Sequence, residues 1–159
     1  MVMACCTITG IVMSKKLFKS VKAIEDSIAL MGYISDRLKY LQPDMKSLID
    51  DIAAGSFSKL HYPQKCCELM ESGLYFPESW RHALTEARGD LGEEEAAIIV
   101  PLANILGSAD LESQISQLGY VQHALRERLT SAVERQKKYT ALYRNLGVLG
   151  GIAAVIMLA

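Results

Sequence analysis

The chain has 159 residues, half of them hydrophobic and few aromatic, with a formal net charge of −1. That length suits one compact domain with a core of its own, and the recurrence of Leu, Ala, Ile, Met, Glu and Lys favours helices over a strand-rich sandwich. The charge is unevenly spread: residues 14–43 carry a net +3, residues 44–95 a net −6 and residues 96–159 a net +2. Basic flanks around an acidic middle exclude the continuous basic stripe of a nucleic-acid binder and fit contact with an anionic membrane surface.

Residues 1–13 (MVMACCTITGIVM) are apolar or small and precede Lys15, Lys16 and Lys19. As a helix they reach about 20 Å, and extension to Phe18 adds roughly 7 Å with the lysines snorkelling to the headgroups. The bases follow the apolar run, which is the reverse of a signal peptide. The adjacent pairs Cys5-Cys6 and Cys66-Cys67 give no disulfide framework and fit a reducing compartment.

Positions Val21, Ile24, Ile28, Met31, Ile34, Leu38 and Leu41 follow three-and-four spacing, predicting one amphipathic helix that carries Gly32 inside it. Pro43 is expected in the first turn of a second helix, with Met45, Leu48, Ile49 and Ile52 buried and a stop near Gly55. Residues 56–63 read as a loop. Pro63 is expected to open a short helix ending at Gly73, and Pro77 another ending at Gly89. Glu93, Glu94 and Glu95 suit the positive end of the next helix dipole. That helix should reach about Leu106 and be capped by Gly107, with Pro101 kinking or shortening it.

Asp110 is placed to cap the last helix. Leu118, Leu125, Ala132, Tyr139 and Leu146 recur every seven residues, with Ile115, Leu129 and Tyr143 on the companion position and Gln122 and Gln136 between them. The chain closes on the uncharged run 146–159 (LGVLGGIAAVIMLA). Counted back to Tyr139, this stretch is about 30 Å long as a helix, with Arg144 near the interface.

These readings predict an all-α protein: a cytoplasmic bundle of about six helices over residues 19–144, between membrane segments at 1–18 and 145–159. Cys6, Gly10 and Ser14 at one end, and Gly147, Gly150 and Gly151 at the other, have the small-residue spacing that lets membrane helices approach. Lys15, Lys16, Lys19, Lys137, Lys138 and Arg144 are the expected interface residues, and they put the body on the cytoplasmic side. Trp80, Glu93, Glu94, Glu95, Asp110 and Gln114 are candidate partner contacts. For Trp80 the alternative is the core, and for Asp110 and Gln114 a capping role. No phosphate loop, metal-ligand spacing or catalytic set occurs, so neither an enzyme activity nor a cofactor, metal or small-molecule substrate is expected.

Three blocks carry a resemblance. They are Trp80 with Ala83-Leu84, then Leu106-Gly107-Ser108-Ala109-Asp110 with Gln114, then Tyr143-Arg144-Asn145-Leu146-Gly147-Val148-Leu149-Gly150-Gly151. In this order and spacing the chain resembles the stage III sporulation protein AB family across about residues 74–159, with the first half similar in layout only. The family usually has an acidic residue shortly before the tyrosine matching Tyr40, where this chain reads Arg37-Leu38-Lys39, and Pro101 is a second departure. The resemblance implies a membrane-anchored platform subunit in the channel-like complex between mother cell and forespore. Such a subunit is similar to the cytoplasmic domain of type II secretion and type IV pilus platform proteins. It implies as partners a secretion-type ATPase in the mother-cell cytoplasm and other membrane proteins of the complex. The alternative from the residues alone is a soluble helical scaffold or regulator whose apolar ends close its own core. A small helical enzyme comes third.

Overall fold

The computed structural model describes the backbone of residues 2–55, 57, 59–108 and 110–158, and the side chains of residues 15–55, 57, 59–108, 110–139 and 142. Six α-helices follow in order: α1 Val2–Tyr40, α2 Met45–Ala54, α3 His61–Glu71, α4 Phe76–Glu86, α5 Glu93–Ile99 and α6 Leu111–Leu158. A 3₁₀ turn, Val100–Asn104, continues α5. The described residues contain no strand.

The stops and starts have local causes. Asp44 caps α2: its carboxylate accepts from the Ser47 N–H at 3.3 Å and the Ser47 hydroxyl at 2.7 Å. Those bonds hold the Asp44 carboxyl below its usual range. Pro43 therefore precedes the cap and does not sit in the first turn. Pro63 is the third residue of α3, not its opener, because a first-turn residue has no helical N–H bond to lose. Helix α4 begins at Phe76 as the Pro77 signal requires, but ends at Glu86, short of Gly89. Pro101 shortens α5 to seven residues by forcing the tighter turn. Gly107 has φ +85°, where glycine is favoured, and the chain reverses there into α6.

Helices α1 and α6 form the longest contact of the fold. They run antiparallel. The start of α2, just past the end of α1, touches Gly107, just before α6, with Met45 Cε 3.7 Å from the position of a Cβ on that glycine. Midway, the Gln122 side-chain amide donates to the Ile28 carbonyl at 3.1 Å. Gly32, one turn along α1, leaves the space: a Cβ there would lie 3.0 Å from Gln122 Nε2. The glycine inside the helix and the glutamine in the heptad seam are thus two halves of one register lock.

Helices α2 to α5 zigzag along the side of this pair. Three contacts fix the antiparallel steps: Tyr33 against Phe57 at 5.6 Å, Arg37 against Asp51 at 3.8 Å, and Cys67 Sγ donating to Asp50 at 3.1 Å. Trp80 is the centre of the core. It is fully buried, its ring meets Tyr62 edge-on at 5.7 Å and Phe76 at 5.6 Å, and its indole N–H donates to the Ile99 carbonyl at 3.3 Å. Tyr62, also fully buried, donates to Ser27 at 3.4 Å, and burial pushes its phenol pKa upward.

The buried arc of α1 includes Ser27 and Leu30 besides the expected positions, while Leu41 is exposed and Ile28 half-buried. The arc is wide because α1 is covered by α6 on one side and by the α2–α3 layer on the other. Among the described residues of α6, Leu118, Val121 and Leu125 are fully buried.

Candidate functional site

The antiparallel pair gives the molecule two unlike ends. At the root end, α1 begins and α6 finishes, so the apolar runs of both chain ends leave in the same direction. Lys15, Lys16 and Lys19 on α1 are exposed there, as are Lys137 and Lys138 on α6. Stepping from the Ile28–Gln122 contact places Lys15 and Lys16 level with about Glu134 and Arg135. The cationic residues of both helices therefore form one collar. Arg144, and the small residues Cys6, Gly10, Ser14, Gly147, Gly150 and Gly151, lie on helical backbone outside the residues whose side chains are described. Among the described residues no helix is long and apolar enough to cross a membrane. The runs 1–13 and 146–159 lie outside that set.

At the crown end lie the turn after α1, the turn before α4 and the entry to α6. Gln42 takes a left-handed turn, φ 44°, behind Tyr40 and Leu41. Tyr40 is 82% exposed, Leu41 61% and Tyr75 81%. The Asp50–Cys67 step sets the loop before Tyr75 level with the start of α2, so these side chains share one end of the body. Sequence reasoning missed Tyr75, and it counted Leu41 as core because its spacing continues the α1 stripe one turn past the end of the packing.

The expected partner residues separate into three kinds. Trp80 is core, closed off by Tyr62 and Phe76, and presents nothing to a partner. Glu95 and Gln114 are both buried. The Glu95 carboxylate folds back over Gly92, where a Cβ would collide with it, the placement of a third-position helix-start acid. Gln114 ties the α6 entry together: its amide donates to the Ser108 carbonyl at 2.6 Å, and its oxygen accepts from the Gly107 N–H at 3.3 Å. Glu93, Glu94 and Asp110 remain exposed. Glu94 is paired with Arg128 on α6, and Glu93 lies 3.7 Å from Arg88. The Asp110 carbonyl accepts the first helical bond from the Gln114 N–H at 3.2 Å, so Asp110 stands at the capping position.

The departure near Tyr40 is built into the surface. Arg37 donates to the Tyr33 hydroxyl at 2.8 Å and faces Asp51 at 3.8 Å, so its charge is turned toward α2. Burial pushes the Cys66 thiol up to about 12. Burial and the neighbouring Asp50 push Cys67 up to about 11. Neither is a thiolate nucleophile near neutral pH. Among the described residues no three of His, Cys, Asp and Glu are grouped to hold a metal ion. His82 lies 3.7 Å from Glu86 as a one-turn surface pair.

Fold and surface together define an all-helical body built on an antiparallel helix pair, with a basic root and an aromatic crown. The sequence profile described as stage III sporulation protein AB matches residues 1–159. The chain belongs to the stage III sporulation protein AB family, which places it in sporulation. Comparison with curated proteins and with solved structures returns no match.

Proposed function

We propose that this protein is a non-enzymatic, membrane-anchored platform subunit of a sporulation channel complex, presenting its helical body to a cytoplasmic ATPase. One observation carries the reading: the packing of the α1/α6 pair runs out before the pair ends. Among the described residues, none before Val21 on α1 and none after Leu125 on α6 is fully buried. A two-helix ribbon of this length has too little apolar cover to persist alone in water. It continues into two uncharged runs edged by a collar of lysines, the arrangement expected where helices enter lipid from a cytoplasmic side.

Docking is assigned to the crown end and the acidic α2–α4 flank. Exposed Tyr40, Leu41 and Tyr75 offer aromatic anchors of the kind that dominate interfaces. Glu78, in the first turn of α4 and close to Tyr75, has no ion pair among the described residues. A basic face on the partner would find it free. The partner in this reading is a secretion-type ATPase, and the location is the membrane that surrounds the forespore on the mother-cell side.

Fractionation tests the anchor: the full chain should pellet with membranes and need detergent for release. Recovery in plain buffer would overturn it in favour of a soluble scaffold. Pull-down with the ATPase tests the dock. Y75A/E78K should lose at least tenfold in affinity with unchanged helix content, and unaltered binding would move the dock elsewhere.

A further inference from the structure

A cleft of about 180 Å³ opens at the root end. Three elements build its walls. Phe18, Lys19 and Lys22 come from α1, Lys59 and Leu60 from the α2–α3 loop, and Arg88 from the α4–α5 loop. Asp26 and Asp90 complete the rim. Asp26 is engaged with Lys22 at 3.2 Å, and Arg88 with Glu93 at 3.7 Å. Lys19 and Lys59 are exposed, and neither has an ion pair among the described residues. Phe18, 62% exposed, is a large apolar side chain beside this cationic pair.

We infer that this cleft binds the phosphate of an anionic phospholipid headgroup, with Lys19 and Lys59 as its cationic clamp and Phe18 against the lipid's apolar root. The inference rests on the membrane reading above and deepens it. Its height is right. Phe18 is the last residue of the membrane segment 1–18 and Lys19 the next, so the pair stands where hydrocarbon gives way to headgroups. The headgroup layer on one side of a bilayer is roughly 5–8 Å thick. Its composition is right as well. A simple inorganic anion has no use for an exposed Phe, whereas a phospholipid presents charge and hydrocarbon within a few ångströms of each other. Lys59 and Arg88 also show that two loops of the body face the root, so the body as a whole rests on the headgroups.

The full chain in neutral-detergent micelles is titrated with dihexanoyl phosphatidylglycerol, dihexanoyl phosphatidylcholine and inorganic phosphate, and heats of binding are recorded. Phosphatidylglycerol should bind at least tenfold more tightly than either of the others. K19Q/K59Q should weaken it about twenty-fivefold, at about fivefold for each lysine. K137Q/K138Q removes the same charge outside the cleft and should change it less than about twofold. F18A should weaken the lipid and leave phosphate unchanged. Far-UV circular dichroism confirms that each variant is folded. Equal binding of the two lipids, equal effects of the two lysine doubles, or phosphate binding as tightly as phosphatidylglycerol would each overturn the cleft assignment. Those results leave the anchor standing. Only the fractionation result sinks the anchor.

Discussion

The body around Trp80 and the outer stretch of the α1/α6 pair are both helical, yet they are held by different means. In the body, six helices and a 3₁₀ turn contribute to one core with three aromatic rings at its centre, and the polar groups at that centre and at the α6 entry are partnered. Tyr62 has Ser27, the indole N–H has Ile99 and Gln114 has the loop before α6. In the outer pair, the described side chains are less covered. Its packing thins from fully buried Leu118, Val121 and Leu125 to half-buried Leu129 and Ala132, and then to Tyr139 at 40% exposure. Helices gain most of their stability from a buried face, so the body is self-sufficient and the outer pair needs a further surface. The lipid reading supplies one.

The sharpest break in that comparison is Trp80→Ala. It removes the largest fully buried side chain and strands the Ile99 carbonyl, so the expected cost is about 3–5 kcal/mol. Chemical denaturation followed at 222 nm on the full chain in detergent checks it. A loss under about 1 kcal/mol would mean that the aromatic cluster is not the centre of stability.

The next test falls on the register lock. Gly32→Val would drive its side chain into Gln122 and displace the amide from Ile28, at an expected cost of about 1–3 kcal/mol. Gly119 lies on the facing helix with open space around its Cβ position. Gly119→Ala should therefore stabilise, by roughly 0.5–1 kcal/mol. Opposite signs at two helix-interior glycines would show that α1 and α6 are locked at one point and free beside it.

How much of this was legible beforehand follows from what each signal encodes. Helix order and type were readable because apolar spacing, capping acids and prolines act within a few residues of themselves. The start of α3 was not, because nothing local in Leu60-His61-Tyr62 announces it. That helix starts where Tyr62 reaches Ser27, a tertiary event 35 residues away. Trp80 could be read as core or as partner contact, and Glu95 only as a helix-start acid or partner contact. The packing that brings the Ile99 carbonyl to the indole N–H decides the first, and the burial of Glu95 was not announced by its neighbours. Tyr40 and Tyr75 lie at the same end of the body only through the zigzag, which no spacing in the chain reports.

A smaller effect comes from pH. The folded state holds Cys66 near 12 and Cys67 near 11, above their ordinary value of 9.0. Both groups are raised, so their stabilising contribution is complete below pH 9. The unfolded chain ionises first, and stability falls as pH climbs from 9 through the folded values. At pH 10, about one unit into that window, Cys66 should account for a loss on the order of 1 kcal/mol. Cys66→Ala should flatten the slope of urea midpoint against pH between 9 and 11. An unchanged slope would show that the thiol is hydrated in the fold.

The smallest expected effect is the most telling about the two regions, because the same truncation can be made in each. Leu84 is buried on α4 beside Trp80, and Leu84→Ala should cost about 2–5 kcal/mol. Leu129 keeps part of its surface in solvent on the outer pair, so Leu129→Ala removes little burial and should cost less than about 1 kcal/mol. The comparison is made in micelles and repeated in liposomes. If lipid is what holds the outer pair, the Leu129 cost stays small in both while proteolysis of the pair slows in liposomes. A Leu129 cost equal to that of Leu84 would mean that the outer helices close on a protein surface of their own, and the need for a membrane to complete them would disappear.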